Sequence, residues 1–265
     1  MTVDPRRDEL LSDPAVVFTG VHKSFGPKHV LRGIDLTIPR GRTTVILGPS
    51  GTGKSVFLKL LVGLLTADEG TVVVDGTDIA AASERQVFEV RKKIGMLFQD
   101  GALFDSLTVL ENIAFPLRRH TKMSEAAIRE AVAHRLEQVG LPGIEDQMPS
   151  SLSGGMRKRV SLARAIILEP EIVLFDEPNS GLDPVTSDEI DALIGKMKDE
   201  LGITFVVISH DIVGAFAVAD WIAMLHGGHL IAEGTPDWVR TCANPVVRTF
   251  LHRNLALPPL EDCHP

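Results

Sequence analysis

The stretch "GPSGTGKS", Gly48 to Ser55, decides the fold, because it matches the pattern G-x-x-x-x-G-K-[ST] in the setting that this pattern requires. The apolar run "TTVILG" leads into it, and a helical pattern that we expect from Val56 to Leu65 follows it. A strand that turns through a glycine-rich loop into a helix aims backbone N–H groups and the positive end of the helix dipole at one anion. We therefore expect a phosphate-binding loop in an α/β fold.

Within this loop, Lys54 is expected to bridge the β- and γ-phosphates of a nucleotide, and the Ser55 hydroxyl to bind Mg²⁺. The alternative, a glycine-rich turn with an incidental lysine, is disfavoured by the strand and helix on either side. The other loop residues expected to surround the phosphates are Gly48, Pro49, Ser50, Gly51, Thr52, Gly53 and Val56.

The segment "IVLFDEP", Ile172 to Pro178, is the second feature with chemical meaning. Its apolar residues are typical of a buried strand, so Asp176 and Glu177 would stand at the carboxyl edge of the sheet, where ligands bind in such folds. Asp176 would hold Mg²⁺, and Glu177 would polarise the attacking water as a general base. Two acids at a strand end are common in α/β proteins, and the phosphate loop gives this pair its meaning.

Composition narrows the class of protein. The chain has 265 residues and a net charge of −8, which argues against a nucleic-acid partner despite the basic run at 157–159. No stretch reaches the roughly 18 apolar residues of a membrane helix, and the N-terminus lacks the apolar core of a signal peptide. We expect a cytoplasmic chain in which Cys242 and Cys263 are free thiols.

The apolar pattern predicts an α/β core with an early β-rich part and a mostly helical insertion at about 100–165. The continuous runs "EIVLF" and "TFVVIS" are typical of parallel strands buried on both faces. The sequence "WIAMLHGGHLIAEG" predicts a hairpin around its glycine pair. In the insertion, Ser124 is the expected N-cap of a helix that ends at Gly140.

Four further motifs follow in a fixed order: Gln99 ends "IGMLFQ", "LSGGM" and "SGLD" come next, and His210 ends "TFVVISH". With them the sequence resembles the nucleotide-binding subunit of an ATP-binding cassette (ABC) transporter over about 16–234. "LSGGM" is similar to the family signature, and "SGLD" (180–183) matches the D-loop. Gln99 matches the Q-loop glutamine, and His210 the switch histidine that contacts the γ-phosphate.

The resemblance implies that two such chains bind head to tail around two ATP molecules, with Mg²⁺ as cofactor. The catalytic residues would be Lys54, Glu177 and His210. The metal ligands would be Ser55, Gln99 and Asp176. Besides the loop, ATP would contact Gln99 and Phe25, whose ring would stack on adenine or else pack in the core. The partner chain would complete each site with Ser153, Gly154, Gly155 and Asp183.

The resemblance also accounts for "LSGGMRKRV", Leu152 to Val160. Ser153 can be an N-cap or a hydroxyl donor, and the two glycines allow an anion to approach the backbone closely. The cations of this helix would add positive potential near the site, although for any one of them a solvated or carboxylate-paired role is the expectation: Arg157, Lys158, Arg159 and Arg164.

Three positions depart from the family pattern. Val56 stands where Thr or Ser is usual, Met156 where Gln is usual, and Asn179 where Thr or Ser is common. Because none of them is a catalytic residue or metal ligand, we expect hydrolysis to survive with weaker or retuned ATP affinity.

Longer phrases, among them "GKSVFLK" and "LSGGMRKRVSLARAI", resemble the ATPase subunits of Mla-type bacterial lipid importers and their MCE-domain relatives. That resemblance implies an ATPase that powers phospholipid transport from the cytoplasmic face of the bacterial inner membrane, where it is peripheral. The implied partners are a second copy of the chain, a pair of membrane permeases, an MCE-domain protein and a small STAS-domain protein.

Two alternatives stay open: the ATPase of an amino-acid or ion importer, and a non-transport ABC protein that acts as a cell-division or scaffold switch. The motif "LSGGM" disfavours a simple GTPase-like switch.

The segment 100–117 is unusually apolar for a connection. Most of its apolar residues would be core, but we expect Phe104 and Leu107 to be exposed anchors in a groove for a cytoplasmic helix of the permease. We divide the chain into an N-terminal extension (1–14), an ABC ATPase domain (15–240) and a C-terminal tail (241–265).

Overall fold

The computed structural model describes residues 1–5, 7, 12–98 and 101–252, and it divides their strands between two sheets. The strands are β1 (Thr2–Val3), β2 (Pro14–Phe25), β3 (Lys28–Pro39), β4 (Thr43–Leu47), β5 (Glu69–Val74), β6 (Thr77–Asp78), β7 (Ile94–Leu97), β8 (Ile172–Asp176), β9 (Thr204–Ser209), β10 (Trp221–His226) and β11 (His229–Gly234). The helices are α1 (Lys54–Leu61), α2 (Glu84–Lys92), α3 (Val109–His120), α4 (Glu125–Gln138), α5 (Gly154–Ile166), α6 (Pro184–Leu201), α7 (Ile212–Val218), α8 (Pro236–Thr241) and α9 (Pro245–His252).

The larger sheet has the strand order β1-β11-β10-β4-β9-β8-β7. The strands from β10 to β7 in this order run parallel, as their continuous apolar runs predict. Alternate residues enter two different cores, with Val45 in one and Ile46 in the other, so β4 is buried on both faces. The hairpin of β10 and β11 is confirmed, and Gly227 and Gly228 turn it with φ of +58° and +84°.

The smaller sheet is antiparallel, with the order β3-β2-β5-β6, and it forms the predicted early β-rich part. It packs on α1, where the rings of Phe18 and Phe57 stack with centroids 4.0 Å apart. The predicted bounds of this helix, Val56 to Leu65, are wrong at both ends, since α1 runs from Lys54 to Leu61. Gly63 follows with φ +68°, in a turn where a Cβ would lie 3.0 Å from Ile79.

The helical insertion between β7 and β8 contains α3, α4 and α5. Ser124 Oγ accepts the Ala127 N–H at 3.3 Å, and Gly140 has φ +72° just after α4, so both predicted ends of this helix are confirmed. Buried residues of the three helices join one side of the large sheet in a common core. The predicted α/β fold class, with a β-subdomain and a helical insertion, is therefore confirmed.

Both ends of the described chain contact the larger sheet or its core. Thr2–Val3 adds a strand parallel to β11, and Cys242 and Leu251 are buried in the main core. The boundaries drawn at 15 and 240 stay predictions, but the segments on either side of them pack together. Cys242 is a free thiol, and Cys263 lies outside the described residues. No helix in the described part combines the length and apolarity needed to cross a membrane.

Candidate nucleotide site

The loop between β4 and α1 requires glycine at two positions for different reasons. Gly48 passes so close to β10 that a Cβ on it would lie 2.4 Å from the carbonyl oxygen of Leu225. Gly53 has φ +103°, which other residues rarely adopt, and its Cβ would lie 2.8 Å from the side chain of Leu31 in β3. Contacts to both sheets therefore fix the backbone of the predicted phosphate loop.

Lys54 opens α1 and is only 5% exposed. Its ammonium donates to the carbonyl oxygens of Gly48 at 2.7 Å and Pro49 at 3.1 Å, and it lies 4.0 Å from Glu177 Oε1. Burial lowers the pKa of Lys54, while the negative charges of Glu177 and Asp176 act in the opposite direction. The loop thus holds a desolvated cation in front of two carboxylates.

Asp176 ends β8, and its half-buried carboxyl group has a raised pKa. Burial is the main cause, the charge of Glu177 adds to it, and the cations of Lys54, Lys59 and Lys158 oppose it. Carboxylates that the chain's own cations neutralise only in part favour a further cation. Oxygen ligands of this kind are those that Mg²⁺ prefers.

Glu177 is held in the left-handed region with φ +52°, which is uncommon for a residue with a side chain. Its N–H donates to the Ile208 carbonyl at 2.9 Å, and its carbonyl accepts the Ser180 N–H at 3.1 Å. His210 Nδ1 lies 3.0 Å from Glu177 Oε2, and Nδ1 is the donor because a carboxylate oxygen only accepts. Groups from β9 and from the loop after β8 therefore orient the predicted general base.

A cleft of about 450 Å³ joins the phosphate loop to the predicted adenine contact. Its lining residues are Phe25, Lys28, Val30, Ser50, Gly51, Gly53, Lys54, Ser55, Val56 and Glu177. The Phe25 ring is 47% exposed and is therefore not a core residue, and Lys23 Nζ lies 5.6 Å from its centroid. The structure thus gathers most of the predicted ATP contacts in one place, while Gln99 lies outside the described residues.

The predicted signature residues are not among the described residues that line this cleft. Ser153 caps α5, the first of its two predicted roles, by accepting the Met156 N–H at 3.2 Å. Gly155 faces α6 so closely that a Cβ would lie 2.5 Å from Thr186 Cγ2. Thr186 Oγ1 donates to Asp183 at 2.6 Å, and this bond lowers the pKa of the Asp183 carboxyl. The signature and the D-loop residue are therefore packed together within one chain.

The cations of α5 have separate environments. Three of them contact nearby loops or helices: Arg157 donates to the Leu152 carbonyl, Arg159 to the Glu189 carboxylate, and Arg164 to the Gly101 and Ala102 carbonyls. Lys158 is instead only 5% exposed, with Nζ 3.5 Å from the Glu177 carbonyl oxygen. The sequence prediction did not single out Lys158, although its position four residues after Gly154 places both on one helix face.

The three departures from the family pattern have packing partners in this chain. Val56 packs on the core under the smaller sheet, and Met156 on the main core. Asn179 Nδ2 donates to Asp191 Oδ1 at 2.9 Å. Asp191 is buried on α6, and burial raises its pKa to about 6. The pair joins the loop after Glu177 to α6, a contact that the sequence pattern did not reveal.

Comparison with known proteins agrees with this geometry. The family model described as "ABC transporter" matches residues 31–180. The chain is 47% identical to the "Probable ribonucleotide transport ATP-binding protein mkl" of Mycobacterium tuberculosis, over 90% of this chain and 66% of that protein. It is 42% identical to the "Intermembrane phospholipid transport system ATP-binding protein MlaF" of Escherichia coli, over 85% of this chain and 84% of that protein. The chain thus spans about two thirds of the length of the mycobacterial relative.

Solved structures share the fold. The cbiO1 protein from Clostridium perfringens, part of the ABC transporter complex cbiONQ, has a TM-score of 0.81 and 32% identity, over 91% of this chain and 96% of that one. A dimeric post-hydrolysis ATP-binding cassette bound to ADP and Pi has a TM-score of 0.76 and 33% identity, over 83% of this chain and 98% of that one. Because the family model covers more than half of the chain, and Glu177 lies between the phosphate-loop Lys54 and His210, this chain belongs to the ABC transporter family.

Proposed function

We propose that this chain hydrolyses ATP as a homodimer and thereby powers phospholipid transport through a separate membrane permease. The observation that carries the proposal is the cleft in which buried Lys54 faces Glu177, whose carboxylate also lies 3.0 Å from His210 Nδ1. The resemblance to MlaF over most of both chains supports the choice of substrate.

In the proposed ATP complex, Phe25 stacks on adenine, the loop N–H groups bind the phosphates, and Lys54 bridges the β- and γ-phosphates. Ser55 and Asp176 would hold Mg²⁺, with Gln99 as a further ligand, and the ion would neutralise phosphate charge. Within the described residues no group of three His, Cys, Asp or Glu side chains forms a metal site alone. That fits Mg²⁺, which usually combines one or two carboxylates with phosphate oxygens.

Glu177 is the proposed general base. Its carboxylate accepts a hydrogen bond from the attacking water, and the Nδ1–H of His210 holds the same carboxylate at 3.0 Å. Phosphate oxygens only accept hydrogen bonds, so His210 Nε2 can contact the γ-phosphate as a donor only when both ring nitrogens carry a proton. The positive φ of Glu177 and its two backbone hydrogen bonds fix the carboxylate before ATP arrives, which lowers the cost of orienting it.

The position of Ser153–Gly155 supports the proposed homodimer. Ser153–Gly155 is a capped helix N-terminus suited to an anion, yet it is not part of the described lining of the cleft. A head-to-tail dimer would bring these residues of one chain to the ATP held by the other. The similar dimeric cassette supports this arrangement, since that protein is a dimer bound to ADP and Pi.

A second groove, of about 520 Å³, is the proposed permease site. Four phenylalanine rings with 43–48% exposure line it: Phe88, Phe98, Phe104 and Phe115. Phe104 is thus exposed as predicted, and its ring lies 5.2 Å from Phe115, whereas Leu107 is half-buried and does not line the groove. An aromatic groove of this kind suits the apolar face of an amphipathic helix.

Phospholipid is the proposed substrate because the match to MlaF extends over 84% of that protein, against 66% for the mycobacterial protein named for ribonucleotide transport. We further propose an MCE-domain protein and a STAS-domain protein as partners, and a peripheral position on the cytoplasmic face of the bacterial inner membrane.

Purification of the chain with its native membrane partners, followed by mass spectrometry of bound proteins and lipids, tests the proposal. We expect a permease, an MCE-domain protein and enriched phospholipid. Phe104→Asp should lose the permease but keep ATP hydrolysis, whereas Met123→Asp, also at an exposed apolar residue, should keep both. A partner that binds ribonucleotides or amino acids, without phospholipid enrichment, would overturn the lipid assignment.

A further inference from the structure

Lys158 lies on the buried face of α5, where a lysine is costly. Its side chain is 5% exposed, and transfer of an ammonium group into a protein interior costs several kcal/mol unless charges and hydrogen bonds compensate. A methionine could fill the same volume without that cost. The charge itself therefore needs a reason.

The charge faces the acid turn, which we define as Asp176–Glu177. Lys158 Nζ is 3.5 Å from the Glu177 carbonyl oxygen, long for a hydrogen bond but close for an ion and a dipole in a dry site. The same cation lowers the pKa of Asp176 against the effect of burial. Lys158 thus acts on both residues of the acid turn.

The backbone of Glu177 needs support, because its φ of +52° is uncommon for a residue with a side chain. Its N–H is bound by Ile208 and its carbonyl by Ser180 and Lys158. Of these three contacts, only Lys158 comes from α5. The helix that begins at the signature therefore reaches the backbone of the proposed general base through this residue.

We propose that Lys158 is a positioning residue that links the signature end of α5 to Glu177 of the same chain. A nucleotide bound against Ser153–Gly155 belongs to one site of the dimer, and Glu177 serves the other. Lys158 is five positions after Ser153, about 7.5 Å along the helix axis, so displacement of the helix N-terminus moves the lysine. Hydrolysis in one site thereby responds to nucleotide in the other, an inference that rests on the proposed two-site dimer.

Steady-state ATP hydrolysis of Lys158→Met and Lys158→Arg tests this role. We expect Lys158→Met to lower kcat about tenfold, to leave KM within about twofold, and to bring the Hill coefficient down toward 1. Lys158→Arg keeps the charge and should restore kcat and the Hill coefficient to within about threefold of the parent. Lys196→Met, at an exposed lysine of α6, is the control and should change neither. If Lys158→Met does not fold, Lys158→Gln replaces it, with the same expected changes in kcat, KM and Hill coefficient.

Two results would overturn the role of Lys158: parental kcat and cooperativity in Lys158→Met, or an arginine variant as impaired as the methionine one, since a positive charge at this position would then not support turnover. The dimer is checked separately by size-exclusion chromatography of Glu177→Gln with ATP. If that variant stays monomeric, the two-site dimer fails. If it dimerises while Lys158→Met remains fully cooperative, only the inference about Lys158 fails.

Discussion

The phosphate loop and the signature turn (Ser153–Gly155) both place glycine at a helix N-terminus, yet their surroundings in the chain differ. At the loop, buried Lys54 and Glu177 of the acid turn line the same cleft. At the signature, Ser153 Oγ is used to cap its own helix, and Gly155 fits closely under Thr186. The phosphate loop is thus arranged to bind ATP within its own chain, whereas packing within the chain holds the signature turn in a fixed position from which it can contact a partner's nucleotide. Substitutions should therefore separate ATP binding from ATP turnover.

Glu177→Gln should have the largest effect and should leave binding intact. Loss of the general base is expected to reduce kcat by about 10²- to 10⁴-fold, while the phosphate loop still binds ATP. ATP should then hold the dimer together. Turnover, nucleotide affinity and the elution volume with ATP measure these effects, and Glu200→Gln at an exposed position is the control. Normal turnover in Glu177→Gln would show that another group activates the water.

Ser153→Arg should abolish hydrolysis and yet leave ATP binding to the loop. The arginine would project where a partner's nucleotide is expected, and the loss of the N-cap adds only about 1 kcal/mol of destabilisation. Ser124→Ala removes a comparable cap from α4 and controls for that loss. Equilibrium binding of a fluorescent ATP analogue and steady-state turnover separate the two effects. If Ser153→Arg lost binding as well, the signature would belong to the loop's own site.

Dimers that combine two different variants test whether each ATP site is shared between two chains. Ser153→Arg chains combined with Lys54→Ala chains contain one composite site with both halves intact. We expect such mixtures to hydrolyse more ATP than either variant alone. Activity no greater than that of the separate variants would count against a site shared between two chains.

Gly155→Ala tests whether the signature is fixed by packing in its own chain. The new Cβ would lie 2.5 Å from Thr186 Cγ2, and such overpacking is expected to cost about 1–3 kcal/mol. Thr186→Ser removes that methyl group and retains the hydroxyl that donates to Asp183, so the double variant should recover stability. Thermal unfolding of both variants and the double variant completes the cycle.

Gly195→Ala on α6 is the matched control for this cycle. Nothing lies within 4 Å of its Cβ position, so the substitution should stabilise the chain by up to about 1 kcal/mol. Equal effects at Gly155 and Gly195 would mean that Thr186 does not hold the signature turn.

The same contrast shows how much the sequence could reveal. The phosphate loop, the acid turn and the caps at Ser124 and Ser153 were predictable, because each depends on residues close together in the chain. The end of α1 was not, since it depends on how the turn at Gly63 packs against Ile79. The contacts of Lys158 and Asn179 were not predicted for a similar reason: their partners become neighbours only when helices pack on the sheet.

Asp191 lies where the loop after Glu177 meets α6, and Asp191→Asn should have the smallest effect. Burial, followed by the charges of Asp211 and Asp188, raises the pKa of Asp191 to about 6, above its unfolded value near 3.8, while the bond from Asn179 opposes the shift. The folded chain therefore favours the protonated acid, and the stability that this provides is present below pH ~3.8 and lost as pH rises through about 6.

Asp191→Asn keeps an acceptor for Asn179 and removes the titration. Its melting temperature should exceed that of the parent at pH 8, and the difference should shrink toward pH 4, because the parent regains its proton there. Asp199→Asn, at an exposed position of α6, should show no such trend. A pH-independent difference for Asp191→Asn would mean that packing, rather than charge, distinguishes the variants. A trend in turnover that follows the melting curves would instead show that the contact between Asn179 and Asp191 affects the position of the nearby acid turn.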